Sequence, residues 1–302
     1  MSAAAKIVLL GVGQTARALV AYLFRHFESK QLAIWGTTRA HSGDALGELG
    51  IAPILLGQGD WRQQLIEACH DANVLVSFPP GPFQSASFKS DSIKSDLIDA
   101  REQPEQDSDQ VFSELISAAR PKTVVYISTT GVYGKTRGVI DESSAVDRED
   151  PRALVRLNAE KIWQEQAIVL RAPGLYSSNS GLHKRLLSGN YSLPGDGTNY
   201  VSRIHLDDLA AIISKIFFQE KPVISPQIYV VGDLKPSTHL EVVSWLCQQL
   251  SLPMPPSKPL SEVNPTLRGS RQISSAKILA DLDLKLKYPS YVEGMSECLG
   301  DA

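Results

Sequence analysis

A strand that ends in a glycine turn and runs straight into a helix constrains this chain more than any other feature. Lys6 to Leu10 is an apolar run of strand length. Gly11, Gly13 and Ala16 follow in GxGxxA spacing, and Thr15 to Phe24 is rich in helix formers. Such a turn aims the unpaired N–H groups and the positive dipole end of a helix at an anion, and a pyrophosphate suits that place. Gly11 serves the tight turn, Gly13 the close approach of phosphate, and Ala16 the packing of helix on sheet. Gln14 and Thr15 belong to the first helical turn. An ordinary glycine-rich strand–helix turn shows the same local pattern, so context matters. Here the pattern opens the chain, and a second strand, Gln31 to Trp35, follows at the expected distance.

The end of that second strand faces the adenosine ribose. An Asp or Glu there accepts from the ribose 2′-OH and selects NAD, whereas an Arg pairs with the 2′-phosphate of NADP. This chain carries Gly36-Thr37-Thr38-Arg39 and no acid. Thr37, Thr38 and Arg39 are therefore candidates to surround a phosphate, which favours NADP over NAD. The plainer alternative is a solvated loop arginine.

Downstream, apolar runs at 54–56, 73–78, 123–128, 167–170 and 227–231 alternate with helical patterns at 61–69, 111–120, 206–218 and 238–250. Alternation of this kind predicts an α/β fold, a doubly wound parallel sheet covered on both faces. Ser237 or Thr238 with Glu241 reads as a capping box for the helix at 238–250, and Asp207 and Asp208 suit the start of the helix at 206–218. The serine- and aspartate-rich stretch from Gln84 to Asp109 reads as a mobile insertion. Residues 252–265 are proline-rich and irregular, and 274–282 is helical again.

With 302 residues the chain can bury a large core, enough for a nucleotide-binding domain and a smaller lobe. Thirty basic against 33 acidic residues, without long runs of either sign, give no nucleic-acid footprint. No apolar stretch is long enough to span a bilayer, and the N-terminus enters the first strand without a signal segment, so a cytoplasmic location is expected. Cys69, Cys247 and Cys298 form no CxxC pair, and the histidines no HExxH, so neither a disulfide framework nor a metal site is indicated.

Tyr126 to Gly134, YISTTGVYG, resembles the segment after the fifth strand of the extended short-chain dehydrogenase/reductases, the NAD-dependent epimerase/dehydratase family. Arg171-Ala-Pro-Gly-Leu-Tyr176 resembles that family's RPxxxYG segment, and Arg203 to Leu209 its RxIHVDDL segment. The stretch Arg271 to Gly294 is similar to a branch of small atypical members. With the glycine turn, the resemblance covers almost the whole chain in order. It implies a Rossmann-type domain over 1–175 plus 200–232 and a small substrate lobe over 176–199 plus 233–302. It also implies a catalytic hydroxyl at Thr129, with Ser128 and Thr130 beside it, and a nicotinamide backed by Ala172 and Pro173. A homodimer through the helices near 111–120 and 151–165 would follow the same pattern.

The family mechanism needs a Tyr whose pKa is lowered by a Lys four residues later. Counting back from Ala159-Glu160 places Arg152 in the Tyr position and Arg156 in the Lys position. No YxxxK occurs between 134 and 170. A guanidinium stays protonated and cannot be the base, though Arg156 keeps the electrostatic and ribose-binding half of the Lys role. The alternative for both arginines is an exposed i, i+4 pair. Tyr133 and Tyr176 are the substitute proton carriers within reach, unless they are packed aromatics. His205 fits better as a structural bond to the helix that follows. Phe78, Pro79 and Pro80 would line the dinucleotide. Two functions follow. One is an NAD(P)-binding epimerase/dehydratase-like oxidoreductase acting on a small polar substrate such as a nucleotide sugar, with non-standard or reduced catalytic machinery. The other is a non-catalytic NADP(H)-sensing protein.

Overall fold

Seven strands form one parallel sheet in the computed structural model, which describes residues 4–39, 43–80, 109–219 and 227–300. They are β1 Ala5–Leu10, β2 Leu32–Thr38, β3 Ala52–Leu55, β4 Asn73–Val76, β5 Thr123–Thr129, β6 Ile168–Ala172 and β7 Gln227–Val230. Their order across the sheet is β7-β6-β5-β4-β1-β2-β3. The chain therefore winds outward from β1 to β3, returns to β4 and winds the other way. That reversal opens a crevice between β1 and β4 at their carboxyl ends, where the glycine turn lies.

Burial on both faces explains the near-continuous apolar strands. Successive side chains of β1 alternate between two cores. Ile7 and Leu9 join Leu19 and Leu23 of α1 (Gln14–His26), with Ile212, Ile213 and Phe217 of α7 (Leu206–Phe218). Val8 and Leu10 join Trp61 and Leu65 of α3 (Trp61–Cys69), Phe112 of α4 (Asp109–Ala119) and Trp163 of α5 (Pro151–Trp163). The short α2 (Gly43–Gly47) precedes β3. A third core gathers Tyr176, Tyr191 and Leu193 with Val242, Val243 and Leu246 of α8 (His239–Leu250). Met295 and Cys298 of α10 (Tyr291–Gly300) complete it. Helices α6 (Leu182–Leu187) and α9 (Ala276–Asp281) and four two-stranded pairs fill the remainder. Among the described residues no helix is long and apolar enough to cross a membrane.

Most elements fall within a few residues of the sequence reading, and three differ. Strand β2 continues through Gly36, Thr37 and Thr38, because these pair with Pro53, Ile54 and Leu55 of β3. Asp109 is not part of an insertion. It opens α4, and its buried carboxylate accepts the Trp163 Nε1–H at 2.8 Å. The rest of the stretch assigned to an insertion lies outside the described residues. Helix α10 was not expected at all. The Thr238–Glu241 capping box is present as read.

Candidate functional site

The glycine turn is clamped from both sides. Gly11 has φ +85° and donates its N–H to Thr37 Oγ1 at 3.0 Å, while its carbonyl accepts from Ser77 Oγ at 2.8 Å. A Cβ on Gly11 would meet the Phe78 backbone nitrogen at 3.0 Å. Among the described residues, Gly13, the N-cap of α1, has no side-chain cap, and a Cβ there would meet nothing within 4 Å. The first N–H groups of α1, at Gln14, Thr15 and Ala16, thus begin beside open space, a donor set that suits a pyrophosphate. Gln14 Oε1 also accepts from Ser180 Oγ at 3.3 Å, which ties the turn to the segment leading into α6.

Two residues expected to line a cofactor have other employment. Thr37 is buried with its hydroxyl held at Gly11, so it secures the turn instead of surrounding a phosphate. The Phe78 ring packs on Phe112, 5.2 Å between centroids, leaving its backbone against the turn. Thr38 ends β2 and the exposed Arg39 follows it, with Thr38 Oγ1 donating to the Arg39 carbonyl. Pro79 and Pro80 follow Phe78 at the end of the described segment.

At the carboxyl ends of β5 and β6 lies a cavity of about 430 Å³. Thr129, Pro173, Arg152 and Arg156 line it together, and Arg271 faces them from the segment Ser270–Ile273. Ala172 is buried just beneath as the last residue of β6. Thr129 Oγ1 accepts the Gly131 N–H at 3.1 Å, which leaves its own hydrogen to donate. Strand alternation sends Ser128 the other way. Its hydroxyl is buried and donates to Glu160, so Ser128 is not a cofactor contact. Glu160 is in turn bonded to Arg171, 2.7 Å from Nη2 to Oε2, with both side chains at most 6% exposed.

The tyrosines are packed aromatics. Tyr133 is fully buried; its hydroxyl accepts from Arg171 Nη1 at 3.0 Å and donates to the Asp141 carbonyl at 3.2 Å. Burial raises its pKa despite the nearby guanidinium, the wrong direction for a base. Tyr176 is buried edge-on to His205, 5.1 Å between centroids, and its hydroxyl has no hydrogen-bond partner. Burial again raises its pKa, with Asp233 adding to the effect. Neither phenol lines the Thr129 cavity, though Tyr176 lines the cavity that adjoins it. His205 does what was expected of a structural residue: its Nδ1 caps α7 by accepting the Asp207 N–H at 3.1 Å.

A second cavity of about 650 Å³ adjoins the first, sharing Gly174, Val201, Ser202, His239 and Leu267 with it. Among the described residues, Lys184, Arg185 and Arg203 line its walls, and no carboxylate does. Arg203 is 6% exposed and its Nη1 has no hydrogen-bond partner among the described residues. His239, at the junction, escaped sequence reading. Its Nδ1 lies 3.1 Å from the Tyr191 hydroxyl, and burial, with Arg203 and Arg185 adding, lowers its pKa to about 4. It is therefore a neutral imidazole at neutral pH. The capping box beside it was legible, but nothing local marks a helix-start histidine as a cleft residue.

Asp233 lies behind this cavity, 1% exposed, and neither carboxylate oxygen has a hydrogen-bond partner. Burial pushes its pKa up to about 7 from an ordinary 3.8, against the pull of Arg203. A raised folded-state pKa means that the folded state binds the proton more tightly. The stabilisation is full below pH 3.8 and is lost as pH rises through about 7. Urea titrations of Asp233→Asn against wild type across that window should show a flatter pH dependence in the variant. Parallel curves would place the titration elsewhere.

No protein-family model and no curated protein matches the chain. Solved structures do. A conserved protein of unknown function from Silicibacter pomeroyi superposes with TM-score 0.75 at 23% identity, over 99% of both chains. A putative NAD-dependent epimerase/dehydratase from Methylobacillus flagellatus follows at 0.70 and 18%, over 98% of each. The UDP-glucuronic acid 4-epimerase of Bacillus cereus, solved with NAD, gives 0.70 and 16%, over 98% of this chain and 99% of that one. This chain has their fold. At these identities the likeness speaks for architecture, and the site must be argued from its own residues.

Proposed function

We propose that this chain binds a nicotinamide dinucleotide, NADP(H) in preference to NAD(H), and acts as an epimerase/dehydratase-like oxidoreductase on a small polar substrate. The observation that carries this reading is the uncapped first turn of α1 at Gly13, opening on the β1/β4 crevice of the sheet. In this reading Gln14, Thr15 and Ala16 hold the pyrophosphate, and Thr38 and Arg39 hold the 2′-phosphate. Ala172 and Pro173 back the ring, and Arg156 faces its ribose. Bound there, the dinucleotide supplies hydride chemistry. Thr129 donates a hydrogen bond to a substrate oxygen, and neutral His239, held as a weak base by its lowered pKa, is a hydrogen-bonding group between the cavities. Residues 176–199 and 233–302 form the substrate side. Its second cavity, with Lys184, Arg185 and buried Arg203, suits the diphosphate of a nucleotide sugar.

A thermal-shift titration tests this. Ligand at 100 times its Kd stabilises by about 2.7 kcal/mol. NADPH should raise Tm well above NADH, and Arg39→Ala should remove the difference. Gly13→Asp should keep the fold, since Asp is a good N-cap, but abolish the shift by placing a carboxylate where phosphate belongs. If neither cofactor moves the melt, the reading fails. A second reading, a redox-sensing protein without chemistry, is favoured by one observation: Tyr133 and Tyr176 are buried while arginines stand where the resemblance expects Tyr and Lys. Cofactor binding without hydride exchange on any carbonyl or sugar-nucleotide substrate, with a partner captured in only one redox state, would select it.

A further inference from the structure

We propose that the Thr129 cavity is an oxyanion subsite in which Arg152 and Arg156 clasp a carboxylate or phosphate group of the substrate. Its place beside the nicotinamide rests on the cofactor reading above; the subsite itself does not. The two arginines stand four residues apart on α5, so both guanidinium groups share one helix face, and both line the same cavity. Like charges at this spacing weaken a helix slightly, a cost that a bound anion would reverse. Among the described residues the Arg152 guanidinium has no acidic partner within salt-bridge distance. Asp150, the one carboxylate in the described lining, is already spent as the cap of α5, accepting the Arg152 backbone N–H at 2.9 Å.

The rest of the wall fits the same ligand. Arg271 is fixed by a hydrogen bond to the Gly134 carbonyl, which keeps a third guanidinium at the cavity's edge. The Thr129 hydroxyl accepts from Gly131 and keeps its own hydrogen free to donate to an anion. Planar guanidinium groups match the paired oxygens of carboxylate and phosphate alike. An arginine in place of a phenol therefore exchanges proton transfer for anion binding. The substrate would be an acid whose charged group lies next to the reacting centre, separate from any charge held by Arg203 in the second cavity.

Isothermal titration of the full chain, without dinucleotide and at constant ionic strength set with chloride, tests the site with inorganic phosphate and malonate as probes. At least one probe should bind wild type, and Arg152→Ala and Arg156→Gln should each weaken it by about tenfold or more. Gly13→Asp, which closes the anion position at the start of α1, should bind the probe like wild type. Stronger binding of phosphate would point to a phosphoryl group, and stronger binding of malonate to a carboxylate. Absence of binding, binding untouched by either arginine variant, or binding lost in Gly13→Asp would each overturn the proposal. Because no cofactor is present, failure of the NADP(H) reading would appear in the thermal shift and leave this result unaltered.

Discussion

Glu160→Ala is expected to destabilise the fold by about 3–5 kcal/mol, the usual cost of leaving one member of a buried ion pair uncompensated. Glu160 receives three hydrogen bonds from Arg171, two from Nε and one from Nη2, and a fourth from Ser128 Oγ. Arg171 sits on β6 and reaches onward to Tyr133, whose hydroxyl in turn holds the Asp141 carbonyl. Removing the carboxylate strands a guanidinium and a hydroxyl away from water. Burial by itself would lower the Arg171 pKa, but the Glu160 bonds and charge more than reverse it, so the arginine stays charged and cannot escape by neutralising. The triple variant Glu160→Met, Arg171→Met, Ser128→Ala removes the demand along with the supply and should lose far less than Glu160→Ala alone. Urea denaturation of both variants decides this. A loss below about 1 kcal/mol for Glu160→Ala would mean that water reaches the pair. The network underlies Thr129, so Glu160→Ala should also blunt any anion binding in the cavity beside it.

Gly294→Ala should destabilise by about 1–3 kcal/mol, the cost of overpacking, although helix propensity alone predicts a gain of about 1 kcal/mol. Gly294 lies inside α10, and a Cβ there would run into the Tyr176 hydroxyl, with Tyr176 Cζ at 2.9 Å. That hydroxyl is buried and unpaired, so Tyr176→Phe should be neutral or stabilising. The double variant should recover part of the loss from Gly294→Ala. Thermal melts of the three variants test the cycle. A higher Tm for Gly294→Ala by itself would show that α10 does not press on Tyr176.

These two cases mark where sequence reading stopped. Gly294 could not be told from a helix-breaking glycine, because the atom that requires it belongs to a strand more than a hundred residues earlier. The resemblance singled out Thr129 among three adjacent hydroxyls, Ser128, Thr129 and Thr130. Only the pleat of β5 against β6 decided that Ser128 points into the core and Thr129 into the cavity. Thr37 looked like a loop residue until pairing with β3 drew it into the sheet and under Gly11. His239 carried no signal and Arg203 was marked only as part of a motif, since the cleft that they share is assembled from residues 174–176, the segment around α6, the stretch before α7 and the start of α8.

What the sequence determined by itself was local and periodic. Apolar runs alternating with amphipathic ones specify a parallel sheet under helices, because backbone pairing and burial follow patterns a few residues long. GxGxxA specifies an open helix N-terminus for the same reason, and Thr238 with Glu241 a capped one. The tertiary structure decided everything that depends on which distant surfaces meet. It decided that the two tyrosines are buried and that Arg152, Arg156 and Arg271 share one cavity. It also left Arg203 and Asp233 buried with unsatisfied polar atoms. Such juxtapositions are set by packing between segments tens to hundreds of residues apart, and no local pattern encodes them.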